Sequence, residues 1–284
     1  MTDRRQTPAN GDVAHVSLKG LVAADRYVEG EMRHIGTIIA DLCRDINGPR
    51  DRQLVRGEGF RALEIRDGWA FGFAERDGYV GWLHAADLIA PPDATTHRVA
   101  VARSYAKSTS GLKAMGAVTP LPFGARLAMA DQAEGWARVI WSRVSNPRAL
   151  YVPMQHLAPV GKVEPDAVAV AERFLGTPYL WGGNSAFGLD CSGLIQTALL
   201  ACGIECPGDS DQQAAMLGNV LADTKPPKRG DLVFWQGHVG MMRDAKTLIH
   251  ANAHHMAVVI EPLAEATARI AASGGGGVVM RRRI

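Results

Sequence analysis

No stretch of 18 or more consecutive apolar residues occurs in this chain, and its first residues, Met1-Thr-Asp-Arg-Arg-Gln-Thr-Pro8, contain no apolar core of the signal-peptide kind. These absences argue against a membrane span and against export by a signal peptide, so the expected location is cytoplasmic. Cysteine is scarce. Cys43, Cys191, Cys202 and Cys206 are too few and too irregular for a disulfide framework, and Cys202-x-x-x-Cys206 has no second half of a zinc site nearby. Three of the four are expected to be reduced structural thiols. Charge of one sign is also lacking: 31 basic against 29 acidic residues leave +2, which gives no general attraction for nucleic acid or an anionic membrane. Neither is an expected partner. The terminal Arg281-Arg282-Arg283 is short and reads as a solvated end. The glycine run 274–277 lacks the G-x-x-x-x-G-K-[ST] setting of a phosphate loop and reads as a plain turn.

What is present is a globular composition, 284 residues at 47% hydrophobic and 21% charged, enough for two or three domains. Residues 1–35 read as an N-terminal extension whose first fifteen residues form a flexible lead-in. From Gly36 the texture becomes short apolar runs, Arg61-Ala-Leu-Glu-Ile65, Trp69-Ala-Phe-Gly-Phe73 and Tyr79-Val-Gly-Trp-Leu83, with Asp67-Gly68 and Asp77-Gly78 as hairpin signals between them. This is the pattern of a small all-β barrel. It then recurs in Ala125–Met129, Gly135–Ile140 and Ala149–Val152, and near-equal offsets of 67 residues (Trp69 to Trp136) and 69 residues (Leu88 to Leu157) point to a duplicated module. The expected domains are residues 36–92 and 96–160, separated by Pro91-Pro92-Asp93, followed by a third domain over 161–284.

Beyond Pro165 the pattern turns α+β. Asp166–Leu175 reads as a helix, a second apolar helix starts at Cys191 and stops at Gly203, and Ser210–Leu217 reads as a third. Strands are expected at Asp231–Trp235, His238–Met242, Thr247–His250, Val258–Ile260 and Val278–Arg281, with a helix at Leu263–Ala272. The chemistry concentrates on the second helix. A thiol attacks as thiolate, and a helix N-terminus favours the anion through its unpaired N–H groups and positive potential, so Cys191 is the candidate nucleophile with Asp190 as its cap. Taken alone, Cys191 would be a small buried thiol of the core. Two histidines change that balance. His238 opens one strand and His250 closes the next, and a turn centred on Asp244 would set them directly opposite each other, close enough for an imidazole–imidazole hydrogen bond. An open zinc site made of Cys191, His238 and His250 is the competing reading, though nothing else in the chain follows metal-ligand spacing. No cofactor is expected.

Tyr179-Leu-Trp-Gly-Gly, Gly188-Leu-Asp-Cys-Ser-Gly193, Asp209-Ser-Asp-Gln-Gln213, Lys228-Arg-Gly-Asp-Leu-Val-Phe234, His238-Val-Gly-Met and Ile249-His-Ala251 occur in that order. Together they resemble the NlpC-type papain-like endopeptidases of peptidoglycan, over about residues 165–284. The two β modules are similar to bacterial SH3-like barrels. The resemblance implies two small all-β SH3-like barrels followed by an α+β papain-like catalytic domain with helices packed on an antiparallel sheet. It implies Cys191 as nucleophile, His238 as base and His250 as the residue that orients it, with the Cys191 N–H and the Tyr179 hydroxyl at the oxyanion site.

Relatives with tandem barrels are similar to γ-D-glutamyl-L-diamino acid endopeptidases, which act on murein peptides with a free N-terminal L-alanine. By that likeness Asp209, with Ser210 beside it, would hold the ammonium, and the substrate would also meet Asp190, Ser192 and, from the first barrel, Tyr79 and Asp51. Two alternatives stand beside this reading: a non-catalytic wall-binding protein, and another cysteine acyl-transfer enzyme such as an amidase or acyltransferase.

Overall fold

Two left-handed dipeptides frame the N-terminal half: Asp67-Gly68 (φ 52° and 80°) and Glu134-Gly135 (φ 50° and 80°) each close a two-residue hairpin whose twist matches that of its strands. The computed structural model describes residues 3–92, 95–141, 148–222 and 224–284. It divides into Met1–Lys162 and Val163–Ile284.

In the first unit, β1 (Val13–His15) and β2 (Arg26–Val28) form a short parallel pair. The first barrel follows with β3 (Glu31–Ile35), β4 (Ile39–Cys43), β5 (Arg50–Val55), β6 (Gly59–Arg66), β7 (Trp69–Ala74), β8 (Val80–His84) and β9 (Leu88–Ile89). The second has β10 (His97–Val99), β11 (Arg103–Lys107), β12 (Val118–Pro122), β13 (Arg126–Ala133), β14 (Trp136–Trp141), β15 (Arg148–Pro153) and β16 (Leu157–Pro159). Their sheet orders are β5-β4-β8-β7-β6-β3-β9 and β12-β11-β15-β14-β13-β10-β16, so each strand of one has its counterpart at the same place in the other. A 3₁₀ turn, Ala85–Asp87 in one and Met154–His156 in the other, precedes each closing strand. One module is used twice.

Alternation along these strands fills each interior: Leu42, Leu54, Phe60 and Leu83 in the first, Leu121, Leu127, Val139 and Val152 in the second. The barrels join where Arg126 N–H donates to the Arg56 carbonyl at 2.9 Å and the Arg56 guanidinium lies 3.5 Å over the Trp141 ring.

Two expectations change here. The sheet takes in β3, so the first barrel begins before residue 36. The described part of the extension is ordered as well, because the outer face of the barrel is too apolar to leave in water. Val13 is fully buried in a cluster with Leu63, Trp69, Phe71, Val80 and Trp82, which stabilises the fold by roughly 1.5–3 kcal/mol for that side chain alone. Ion pairs Arg26–Glu64 (2.7 Å) and Arg66–Asp12 fasten the cover. Asp93, in the expected linker, lies outside the described residues.

The second unit contains α1 (Ala167–Glu172), a small pair β17 (Asn184–Ser185) and β18 (Gly188–Leu189), α2 (Cys191–Ala201) and α3 (Ser210–Met216). Then come β19 (Asn219–Val220), β20 (Leu232–Trp235), β21 (His238–Met242), β22 (Thr247–Asn252), β23 (Ala257–Pro262), α4 (Leu263–Ala272) and β24 (Met280–Arg283). The sheet is antiparallel in the order β19-β24-β20-β21-β22-β23, and α2 packs against β21, β22 and α1. This is the α+β arrangement expected of a papain-like domain.

α1 is shorter than the stretch to Leu175, since the chain tightens into turns after Glu172; Asp166 caps it through the N–H groups of Val168 and Ala169. β24 starts later than Val278, and its arginines are not a solvated end. Arg283 pairs with buried Asp231 at 2.7 Å, and the Arg282 guanidinium donates to the carbonyls of Ala215 in the last turn of α3 and of Leu217 and Gly218 just after it.

Candidate active site

Cys191 is the first residue of α2, and the loop before it is laced to that helix start. The Asp190 carboxylate accepts from Gly193 N–H at 2.6 Å, Gly182 N–H at 3.0 Å and the Ser192 hydroxyl at 3.0 Å. Asp190 N–H donates in turn to the Gly183 carbonyl. Gly183 allows this closeness because a Cβ there would stand 2.5 Å from the Gly188 carbonyl oxygen. Asp190 and Ser192 are each 5% exposed and spend their polar atoms on one another and on the loop. They therefore brace the helix start on either side of Cys191. Asp190→Ala should lower stability by about 2–4 kcal/mol, as a lost cap plus buried N–H groups left without an acceptor, read from the urea midpoint at unchanged m-value.

Tyr179 is half-buried and bridges to Leu189 one residue before Asp190. Burial, with the charges of Cys191 and Asp190, pushes its phenol well above the ordinary range, so the hydroxyl stays a donor. That is what an oxyanion site requires.

The histidines are brought together, though not by the expected register. Asp244 binds the N–H groups of Lys246 and Thr247 and the Thr247 hydroxyl, and the pairs Met241↔Ile249 and Met242↔Leu248 centre the turn one residue later than Asp244. Carried along the strands, this register sets His250 opposite Gly240 and makes His238 its diagonal neighbour on the same face. The rings meet: His238 Nε2 and His250 Nδ1 are 2.9 Å apart, with centroids 5.1 Å apart in a T-shaped arrangement. Each spends a ring nitrogen on the other, which disfavours the zinc reading.

Trp235, at the end of β20, packs 5.7 Å from His238. Burial and the neighbouring His250 push His238 down to about 3, and burial pushes His250 down to about 4. Both imidazoles are therefore neutral at neutral pH, the form a general base must have.

That neutrality has a sign for stability. A histidine with a lowered folded pKa binds its proton more readily when unfolded, so its stabilisation is full above the unfolded value of about 6.5 and is lost as pH falls from there toward 3–4. Thermal melts of the whole chain should show the second unit losing up to about 1.4 kcal/mol per pH unit from fully buried His250 between pH 6.5 and 4.5. His250→Gln should flatten that segment.

Asp209 precedes α3, and its carboxylate does not cap that helix. It is half-buried, and Gln213 holds its turn in place: Nε2 donates to the Ser192 carbonyl in the first turn of α2 and to the Pro207 carbonyl, both at 3.0 Å. Asp209 and Ser210 thus flank the Cys191 end of α2.

The two residues expected from the first barrel each have partners within the first unit. Tyr79 is 4% exposed in the barrel core, and the Asp51 carboxylate is paired with Arg4 at 2.6 Å and Arg44 at 3.6 Å. Glu261, whose Oε2 stands 3.0 Å from His250 Nε2, was not anticipated. Its signal was a lone acid within the apolar run Val258-Val-Ile-Glu-Pro262.

With this geometry in view, the likenesses to known proteins are specific. Residues 176–271 match the NlpC/P60 family, and residues 42–88 match the bacterial dipeptidyl-peptidase Sh3 domain. The γ-D-glutamyl-L-lysine dipeptidyl-peptidase of Bacillus subtilis (strain 168) is 30% identical over 202 residues, covering 66% of this chain and 65% of that protein. The protein of the same name from Bacillus cereus (strain ATCC 10987 / NRS 248) is 37% identical over 106 residues, 34% of this chain and 31% of that one. The chain therefore spans less than two thirds of the length of these curated relatives. In fold it is similar to a crystal structure of an NlpC/P60 family protein from Bacillus cereus ATCC 10987, with a TM-score of 0.72 at 19% identity over 89% of this chain and 99% of that one. The second unit of this chain carries an NlpC/P60 domain, preceded by a bacterial dipeptidyl-peptidase Sh3 domain in the first.

Proposed function

We propose that the chain is a cysteine peptidase that hydrolyses the γ-D-glutamyl-L-diamino acid bond of short murein peptides bearing a free N-terminal L-alanine, in the cytoplasm. The observation that carries the reading is the His238 Nε2–His250 Nδ1 bond on β21 and β22, the strands against which α2 packs with Cys191 at its start. Neutral His238 takes the thiol proton, and Sγ attacks the γ-carbonyl of D-glutamate. The oxyanion meets the N–H groups of the helix start and the Tyr179 hydroxyl. Imidazolium then protonates the departing amine, giving a thioester, which water cleaves with His238 again as base.

Selection for the free amine rests on Asp209, half-buried beside the first turn of α2, because an ammonium leaving water needs a charge partner. The names of the two Bacillus relatives agree with this bond type. The test is hydrolysis of L-Ala-γ-D-Glu-L-Lys and its diaminopimelate counterpart, each offered with a free and an acetylated N-terminus. Rapid cleavage of the free forms alone is expected, and equal cleavage of both would overturn the amine selection.

A further inference from the structure

The ring pair on β21 and β22 works as a base only in one of its two tautomeric arrangements. If His250 carries its proton on Nδ1, it donates to His238 Nε2, and His238 must then carry its own proton on Nδ1, the nitrogen left to face a thiol. That arrangement offers the thiol a donor and no base. If His250 carries its proton on Nε2, its Nδ1 accepts from His238 Nε2–H, and His238 Nδ1 presents a lone pair. The group that chooses must act at His250 Nε2.

Two side chains meet that atom, and they pull in opposite directions. Glu261 Oε2 lies 3.0 Å away, and Asn252 Nδ2 also lies 3.0 Å away. The Asn252 amide is oriented by its oxygen, which accepts from His255 N–H at 2.9 Å, so its NH₂ faces the ring and favours a bare Nε2. Glu261 is 8% exposed and is gripped by Arg269, with Nη2–Oε2 at 2.7 Å and Nε–Oε1 at 3.1 Å. Burial alone would raise its carboxyl, but the Arg269 bonds outweigh it and hold the group below the usual range. An ionised carboxylate can only accept, and a charge-assisted hydrogen bond is about twice as strong as a neutral one.

We propose that Glu261, clamped by Arg269, is the positioning residue that fixes the proton of His250 on Nε2 and so makes His238 Nδ1 the general base, against the opposite preference of Asn252. The geometry follows from the sheet: β22 pairs with β23 through His250↔Val259 and Leu248↔Glu261, which sets Glu261 diagonal to His250 on the same face. The idea rests on the peptidase reading above and adds one residue to it.

The experiment uses the full chain. Long-range ¹H–¹⁵N spectra of ¹⁵N-histidine-labelled wild type should show His250 protonated at Nε2, and those of Glu261→Gln should show the proton moved to Nδ1 in a substantial fraction. Turnover of the free tripeptide by Glu261→Gln should fall about 10- to 100-fold in kcat with KM little changed, a part of the roughly 10²–10⁴-fold that general-base catalysis supplies. Glu261→Gln/Asn252→Asp, which returns a carboxylate to the same nitrogen, should recover most of that loss. A role confined to packing would not be rescued in this way.

His250 protonated at Nδ1 in the wild type would overturn the proposal, as would unchanged kcat in Glu261→Gln. Wild type without peptidase activity but with the Nε2 proton, lost in Glu261→Gln, would sink the peptidase reading and leave the tautomer assignment standing.

Discussion

Cys191→Ala should abolish cleavage of the free tripeptide while leaving the melting temperature within a few degrees of wild type, because the change removes one small atom at a helix start. The loop before it is held through hydrogen bonds of Asp190 with Gly182, Gly183 and Gly193. His238→Ala should be nearly as severe, with kcat lowered by about 10²–10⁴-fold, the range general-base catalysis commonly contributes. Its KM should change little, since the ring acts on the proton and not on the peptide's remote groups. Steady-state kinetics beside circular dichroism melts would check both. Retention of more than a tenth of wild-type kcat in either variant would contradict the assigned roles.

The second large effect concerns the amine. Asp209→Asn keeps shape and hydrogen-bonding capacity but removes the charge, so kcat/KM for the free tripeptide should fall about 10- to 100-fold, as expected for a hydrogen bond to a charged group at a half-buried site. Cleavage of the N-acetylated tripeptide should be almost unaltered, because it never used that charge. The ratio of the two rates is the diagnostic quantity. A variant that loses both rates equally would show Asp209 shaping the loop between α2 and α3 and not reading the ammonium.

How much of this was legible in the sequence depended on the range of the signal. Hairpin dipeptides such as Asp67-Gly68 act within two residues, so the strands beside them were readable, and the offset from Trp69 to Trp136 exposed the duplication that the two sheet orders display. Cys191 at a helix start was equally local. The histidine pair needed only the parity of two adjacent strands, so its face was right even though the register was off by two, the turn being centred on Ala245 and not on Asp244.

What could not be read was set by partners distant in sequence. Glu261 matters through Arg269 on α4 and His250 on β22, and Gln213 matters through carbonyls of residues 192 and 207. Asp51 meets Arg4, 47 positions earlier in the chain, a pairing that no local pattern announces. The extension read as flexible because Val13 looks unremarkable without the face formed by Trp69, Phe71 and Trp82 beneath it.

The central claim is that Cys191 forms a thioester with the γ-carbonyl of D-glutamate. Rapid quench of the wild-type chain with excess L-Ala-γ-D-Glu-L-Lys at low pH, followed by intact-mass and peptide-level mass spectrometry, tests it most directly. The account predicts a transient increment equal to L-Ala-D-Glu less water, confined to the peptide containing Cys191, lost on treatment with hydroxylamine and absent from Cys191→Ala. An increment on any other residue, or turnover by Cys191→Ala at the wild-type rate, would contradict it.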